Sequence, residues 1–292
     1  MSSTESLPRP LVLAAVQPPW PSEGRGPDLV VETALELTRR ALDRGARLIC
    51  LPEYLNTASL APDQAGEWAS RAQYLADMLG ELAASRGAWI AVSLLVQEQD
   101  GRANATFIFG PDGLVGRYDK VHLTRTEREL WRLRPGSDYP VFDLPFARVG
   151  VMTCYDICFP EVARILALRG ANLILFPALQ RSYSERELEL QVKARAYDNF
   201  VWILRSSYGT PRDEPWRPGV PVGKTCIAAP DGTLAADLGR FVGVALAEAN
   251  PSAQLVGPIS HGGPVEPLRE ARLADRRPDT YGLLTAPPDQ LA

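Results

Sequence analysis

Short apolar runs alternate along the chain with longer stretches in which apolar positions recur at helical spacing. Residues 11–17 (L-V-L-A-A-V-Q) read as a buried strand. Over residues 28–44, Val31, Leu35, Thr38 and Leu42 form one face of a predicted helix that Gly45 stops. A short strand over 47–51 precedes one long helix predicted over 64–86, with Trp68, Leu75, Leu79 and Leu82 inward. Strands follow at 88–96 and 106–109. The turn Pro111-Asp112-Gly113 joins the second of these to a strand at 114–118 as a hairpin. Strands at 141–144 and 148–153 lead into a helix opening at Pro160, with Val162, Ile165 and Leu166 inward and Gly170 at its close. A strand at 172–176, a helix over 184–199 with Leu188, Val192 and Ala196 inward, and strands at 200–206, 224–229, 233–237 and 240–247 complete the series. This alternation predicts one α/β domain over residues 11–250, with a mixed sheet or two covered by helices. Residues 1–10 read as a disordered N-terminal segment. Residues 251–292, richer in proline and charge, read as an extension packing on the domain or on a partner subunit.

Composition narrows the function classes. The 292 residues are 46% hydrophobic and 23% charged, an ordinary globular balance with ample material for a core. A net charge of −4 gives no footprint for nucleic acid or an anionic membrane, so neither is expected as a partner. Four irregularly spaced cysteines make no disulfide framework, which suits a reducing, cytoplasmic setting. No apolar run is long enough to cross a bilayer, and residues 1–10 carry no apolar signal region. Without a secretion signal, the sequon Asn104-Ala105-Thr106 reads as chance.

Three reactive side chains stand at predicted strand ends: Glu53, Lys120 and Cys154. Active sites of α/β folds are built at such ends. Cys154 sits where a strand turns into a helix, and amide N–H groups and the helix's positive end there favour a thiolate. Taken alone, that turn allows either a catalytic nucleophile or a buried structural cysteine. The other two residues supply what a thiol nucleophile needs. A desolvated Glu53 can act as base. The Lys120 ammonium and the backbone N–H of Tyr155 can hold an oxyanion. Singly, Glu53 also reads as a helix-start charge and Lys120 as a surface partner of Asp119. The arginine-rich connection over 119–139 is long enough to be functional, although a solvated face explains most of its charges.

The segments Leu51-Pro52-Glu53-Tyr54, Tyr118-Asp119-Lys120-Val121-His122-Leu123 and Cys154-Tyr155-Asp156-Ile157-Cys158-Phe159-Pro160-Glu161 resemble the nitrilase superfamily of carbon–nitrogen hydrolases, in that family's order and separations. Ala194-Arg195-Ala196-Tyr197-Asp198-Asn199, Pro230-Asp231-Gly232 and Arg276-Arg277-Pro278-Asp279-Thr280-Tyr281 also look like family features. The resemblance implies a single-domain, four-layer α-β-β-α sandwich with mixed sheets. It implies a Glu53-Lys120-Cys154 triad that forms a thioester acyl-enzyme on a small amide and releases ammonia or an amine. It further implies a second glutamate seven or eight residues past the lysine. Glu127 fits that spacing better than Glu129. Neither metal nor organic cofactor is implied, and association into a homodimer or higher homo-oligomer is. Family members often shape the acyl pocket with the loop after Phe176-Pro177-Ala178, which here carries Gln180 and Arg181. Arg181 reads either as a bidentate clamp for a substrate carboxylate or as a solvated surface arginine.

Cys154-Tyr155-Asp156 looks like the amidase-type branches, whereas nitrilases usually place Trp-Glu after the cysteine. Carbamoyl-hydrolysing members resemble the chain too. Cys158 stands where many amidase-like members carry arginine, and it reads as core filling or as part of the pocket rim. The rival class is a non-catalytic ligand-binding member of the same fold. The run Gly219 to Thr225 is one residue short of a phosphate-binding loop. Neither a Gly-x-Ser-x-Gly elbow nor zinc-ligand spacing is present. Three residues between Cys154 and Cys158 argue against a redox Cys-x-x-Cys pair, and His122 reads as a loop residue beside Lys120.

Overall fold

A computed structural model describes residues 11–20, 27–58, 60, 63–181, 184–212, 215 and 223–286. The segment 1–10 and most of the Gly219 to Thr225 run lie outside the described residues. The chain divides into two units, Met1–Ser252 and Ala253–Ala292.

The first unit carries β1 (Leu11–Gln17), α1 (Pro27–Asp43), β2 (Leu48–Cys50), α2 (Ala65–Ser70), α3 (Ala72–Arg86), β3 (Trp89–Glu98), β4 (Gly101–Gly110) and β5 (Gly113–Asp119). There follow α4 (Arg125–Glu129), β6 (Val141–Leu144), β7 (Ala147–Val151), a 3-10 turn at Cys154–Cys158, α5 (Pro160–Leu168) and β8 (Leu173–Pro177). Then come α6 (Glu185–Asn199), β9 (Trp202–Ser206), β10 (Cys226–Ala228), β11 (Leu234–Asp237) and β12 (Gly243–Ala249).

The strands form two six-stranded sheets, ordered β12-β1-β2-β3-β4-β5 and β11-β10-β9-β8-β7-β6. Both are mixed. The strands β1, β2 and β3 run parallel, as do β7, β8 and β9, and antiparallel strands flank each set. Alternation along each strand sends side chains to opposite faces. Leu13, Leu48, Ile108, Val149, Leu173 and Leu204 meet in the core between the sheets. Trp89 and Phe146 close it edge to face at 5.0 Å. The alternate residues Val16, Ile49 and Ile90 pack under Ala34, Leu35 and Leu79 of α1 and α3. On the far side, Ile174 and Ile203 pack under Leu166 of α5 and Val192 of α6. The result is a four-layer α-β-β-α sandwich. Full burial of a side chain the size of Leu166 contributes about 2 kcal/mol. The close approach of α5 needs Gly150, where an added Cβ would stand 2.9 Å from Leu166.

The predicted single helix over 64–86 is two helices. The buried Asn56 donates to the Trp68 carbonyl at 3.0 Å and pins Leu95 on β3 at 2.9 Å. The chain resets at Arg71 (φ −88, ψ −2), whose guanidinium stacks 4.2 Å from the Trp68 ring. That tertiary tether overrides continuous helical periodicity. The 119–139 connection holds the short helix α4, announced by the capping box Thr124-x-x-Glu127. The last strand starts at Gly243, later than the expected 240.

The second unit pairs β13 (Val256–Pro258) antiparallel with β14 (Val265–Pro267) and continues into α7 (Leu268–Ala274). No helix among the described residues is long and apolar enough to cross a membrane.

Candidate active site

Each of the three reactive side chains follows a strand. Glu53 lies just past β2, Lys120 immediately past β5, and Cys154 past β7 in the opposite sheet. The hairpin β3–β4–β5 brings Lys120 across the sheet to β2. Its Nζ donates to Glu53 Oε1 at 2.8 Å and to Glu127 Oε1 at 2.7 Å. Lys120 and Glu53 are each 1% exposed, and Glu127 is 5% exposed. Two buried carboxylates therefore share one buried ammonium. Glu129, the competing candidate, faces solvent and pairs with Arg125.

Glu53 Oε1 also accepts from Asn104 Nδ2 at 2.8 Å, and Ser93 Oγ holds Asn104 Oδ1 at 2.8 Å. Asn104 is thus a buried member of the site and not a surface sequon residue. Its sequence signal was a polar residue set in the apolar strand A-N-A-T-F-I-F. Glu53 Oε2 is buried with no hydrogen-bond partner among the described residues. Tyr54 donates its hydroxyl to Glu127, and the Thr124 backbone N–H donates to Glu127 Oε2 at 2.7 Å. Glu127 is thereby fixed by the α4 cap from one side and by Tyr54 and Lys120 from the other.

Electrostatics differ within the cluster. Burial raises the Glu53 pKa above the usual carboxylate value, and Lys120 offsets only part of that rise. Glu127 is penalised by burial too, but Lys120 and its hydrogen bonds hold its pKa below the ordinary value. Lys120, although desolvated, is held well above its ordinary pKa by the carboxylates. Burial, and then the Glu53 charge, push the Cys154 thiol well above its ordinary value, against the pull of Lys120. The expectation of a thiolate favoured by the helix start is corrected here. Desolvation and a neighbouring carboxylate outweigh the N–H groups of one short turn. The resting pair is a neutral thiol beside a base of raised pKa.

Backbone strain marks the same place. Cys154 has φ 47 and Tyr54 has φ 57, left-handed values for residues other than glycine. Each costs about 1–3 kcal/mol that surrounding contacts must offset. One such contact is Asp156, fully buried two residues past the cysteine. It accepts from Tyr118 Oη at 2.6 Å, from the Thr153 N–H at 2.8 Å and from the His122 N–H at 3.1 Å, and it meets His122 Nδ1 at 3.0 Å. His122 stacks on Phe159 at 3.8 Å. Asp156 therefore ties the Lys120 loop to the Cys154 turn. Asp156→Asn, with one acceptor oxygen in place of two, is expected to lower stability by about 3 kcal/mol, read as the shift in urea midpoint at constant m.

A cavity of about 770 Å³ opens over the cluster, and Glu53, Lys120, Glu127, Cys154, Tyr155, Gln180 and Arg181 all line it. Its walls include Trp20, Leu130, Trp131 and Leu179. Trp131 lies 5.2 Å from the Tyr54 ring. Gln180 is buried, whereas Arg181 is exposed, with its guanidinium 4.5 Å from the Trp20 ring. Cys158, by contrast, packs against the core beside α5 and does not line the cavity.

The sandwich, with a thiol, a carboxylate and an ammonium gathered at its strand ends, defines a hydrolase that works through a cysteine. The model of the carbon-nitrogen hydrolase family matches residues 12–255. An omega-amidase of Xenopus laevis is 32% identical over 228 residues, covering 74% of this chain and 80% of that protein. A nitrilase of Pyrococcus abyssi (strain GE5 / Orsay) is 33% identical over 230 residues, covering 75% of this chain and 83% of that protein. Among solved structures, a carbon-nitrogen hydrolase from Helicobacter pylori G27 superposes with a TM-score of 0.76 at 19% identity, over 95% of this chain and 98% of that one. The chain belongs to the carbon–nitrogen hydrolase family.

Proposed function

We propose that this protein hydrolyses a small linear amide through a thioester on Cys154. The observation that carries this reading is the buried Lys120 bound to both Glu53 and Glu127, with Glu53 Oε2 without a hydrogen-bond partner among the described residues. Oε2 takes the Cys154 proton as the sulfur bonds to the amide carbon. The oxyanion is met by the Lys120 ammonium and the Tyr155 N–H. The intermediate collapses as protonated Glu53 delivers its proton to the leaving nitrogen, and ammonia or an amine departs. Glu53 then deprotonates a water that attacks the thioester. The acid leaves and Cys154 regains its proton. Glu127 takes no proton, because its lowered pKa keeps it ionised, and its charge holds Lys120 in place.

Cys154-Tyr155-Asp156 supports amides over nitriles. Four free cysteines support a reducing, cytoplasmic setting. Exposed Leu190 and Tyr197 on α6 support self-association. The test is ammonia release across a panel of amides, carbamoyl compounds and nitriles, together with the mass of the intact protein. Amide turnover with an acyl adduct on Cys154 is the expected result. Binding without any adduct or turnover across the panel would sink the enzyme reading in favour of a ligand-binding role.

A further inference from the structure

Tyr208 lies far from Glu53 in sequence and beside it in space. It follows β9 in the second sheet, is 0% exposed, and shares the core under α1 and α3 with Leu51 and Leu55. Its hydroxyl donates to the Glu53 carbonyl at 2.5 Å, across 155 residues and from one sheet to the other. The neighbouring chain fixes the ring. The Gly209 N–H donates to the Pro18 carbonyl and the Trp20 N–H to the Gly209 carbonyl, both at 2.8 Å, and Trp20 meets the Tyr208 ring edge on at 5.4 Å. The carbonyl that Tyr208 holds belongs to the planar peptide between Glu53 and Tyr54, and Tyr54 is the residue at φ 57. Holding that peptide therefore holds the left-handed turn, which persists only where its surroundings over-determine it. The turn has two products. The Glu53 carboxylate meets Lys120 and Asn104, each at 2.8 Å, and the Tyr54 hydroxyl meets Glu127. Tyr208 does not itself line the cavity, so it acts through Glu53. Its phenol stays a donor, because burial and then the Glu53 charge push its pKa well above the ordinary value.

We propose that Tyr208 is a positioning residue, whose hydroxyl locks the peptide between Glu53 and Tyr54 in its left-handed turn and so keeps the base within hydrogen-bond distance of Lys120. Without the hydroxyl, the Glu53 carbonyl is a buried acceptor that has lost its donor, and the turn relaxes toward an unstrained φ. The Glu53 side chain moves with it, away from Lys120. That ammonium is the main influence holding the Glu53 pKa down against burial, so the pKa rises further. The other groups that face Glu53 are Glu127 of α4, Tyr54, the Cys154 thiol past β7 and Arg181 past β8, and the loss of one phenolic oxygen removes none of them. This inference rests on the reading of Glu53 as the base.

The experiment replaces Tyr208 with phenylalanine, which keeps the ring against Trp20 and removes only the hydroxyl. Circular dichroism and a urea melt check the fold. The values of kcat and KM and the pH profile of kcat/KM are measured on an amide that wild type hydrolyses. Tyr208→Phe is expected to lose about 10- to 100-fold in kcat, with KM within about threefold of wild type, and to shift the acid limb of the profile to higher pH. A merely structural tyrosine would lower the urea midpoint and leave that limb in place. A folded variant whose acid limb coincides with that of wild type therefore overturns the proposal, as does one that keeps more than half of wild-type kcat. If the variant is partly unfolded in buffer, the profile is repeated in about 1 M trimethylamine N-oxide, which favours compact states. A variant still unfolded there marks Tyr208 as a structural residue and overturns the proposal too. Failure of the base reading has its own signature, because Glu53→Gln then retains wild-type turnover whatever Tyr208→Phe does.

Discussion

Glu53→Gln lowers kcat/KM on an amide substrate by about a thousandfold or more, while the protein stays folded. Glutamine matches the shape of glutamate, and its oxygen still accepts from Lys120 and Asn104, the two donors now on Oε1. Lys120 keeps its charge partner, because Glu127 remains 2.7 Å away. The lost property is proton acceptance, and among the described residues the Cys154 thiol has no other buried carboxylate of raised pKa beside it, Glu127 being held low. Stopped-time ammonia assays and the mass of the intact protein read the outcome. A variant with more than a tenth of wild-type turnover would remove Glu53 from the base role. The pH profile offers a second reading of the same residue. Burial raises the Glu53 pKa above its ordinary 4.5. Wild-type kcat/KM must fall, as pH drops, through a pKa above that of an exposed glutamate, and Glu53→Gln should lose this limb.

Lys120→Met destabilises the fold by about 3–5 kcal/mol and abolishes turnover. The loss arises because two buried carboxylates, Glu53 and Glu127, are left facing each other without the ammonium. Its pH dependence has a definite sign. In the native protein, Lys120 holds the Glu127 pKa below the unfolded value. That contribution is fully present above the unfolded pKa and is lost as pH falls through the lowered folded pKa. In the variant, burial and mutual repulsion raise the folded pKa values above the unfolded ones. The unfolded state then ionises first, and stability falls as pH rises past the unfolded carboxylate pKa. Denaturant melts near about pH 5 and about pH 8 should show the larger deficit at the higher pH. An equal deficit at both would mean that Lys120 acts through packing alone.

How much of this was legible in the chain depends on the range of each interaction. Leu188, Val192 and Ala196 of α6 are all fully buried, as their spacing required. Pro160 opens α5, and Gly170 follows its end at φ 95. Glu53, Lys120 and Cys154 were visible because each side chain carries its chemistry wherever it stands, and because each followed an apolar run. Gln180 and Arg181 came from the family resemblance, and both line the cavity. The capping box of α4 was present in the sequence as Thr124-x-x-Glu127, a local signal that the long polar connection obscured.

Local order, residue type and hydrophobic period are properties of neighbouring residues, so the sequence by itself determined the alternation of strands and helices and the reactive groups at their ends. The tertiary structure decided the rest. Asn104 joins Glu53 from 51 residues away, Asp156 joins Tyr118 from 38, and Arg205 joins Gln180 from 25. No local period records these meetings, because strand order and register create them. The break at Arg71 and the neutral Cys154 thiol have the same origin. Helical continuity yields to a tether from Asn56, and a pKa reflects the water and charge that the assembled fold removes or brings near. The sequence therefore presented a thiol, a carboxylate and an ammonium, and the packing of two sheets determined how burial and neighbouring charge shift the proton affinity of each.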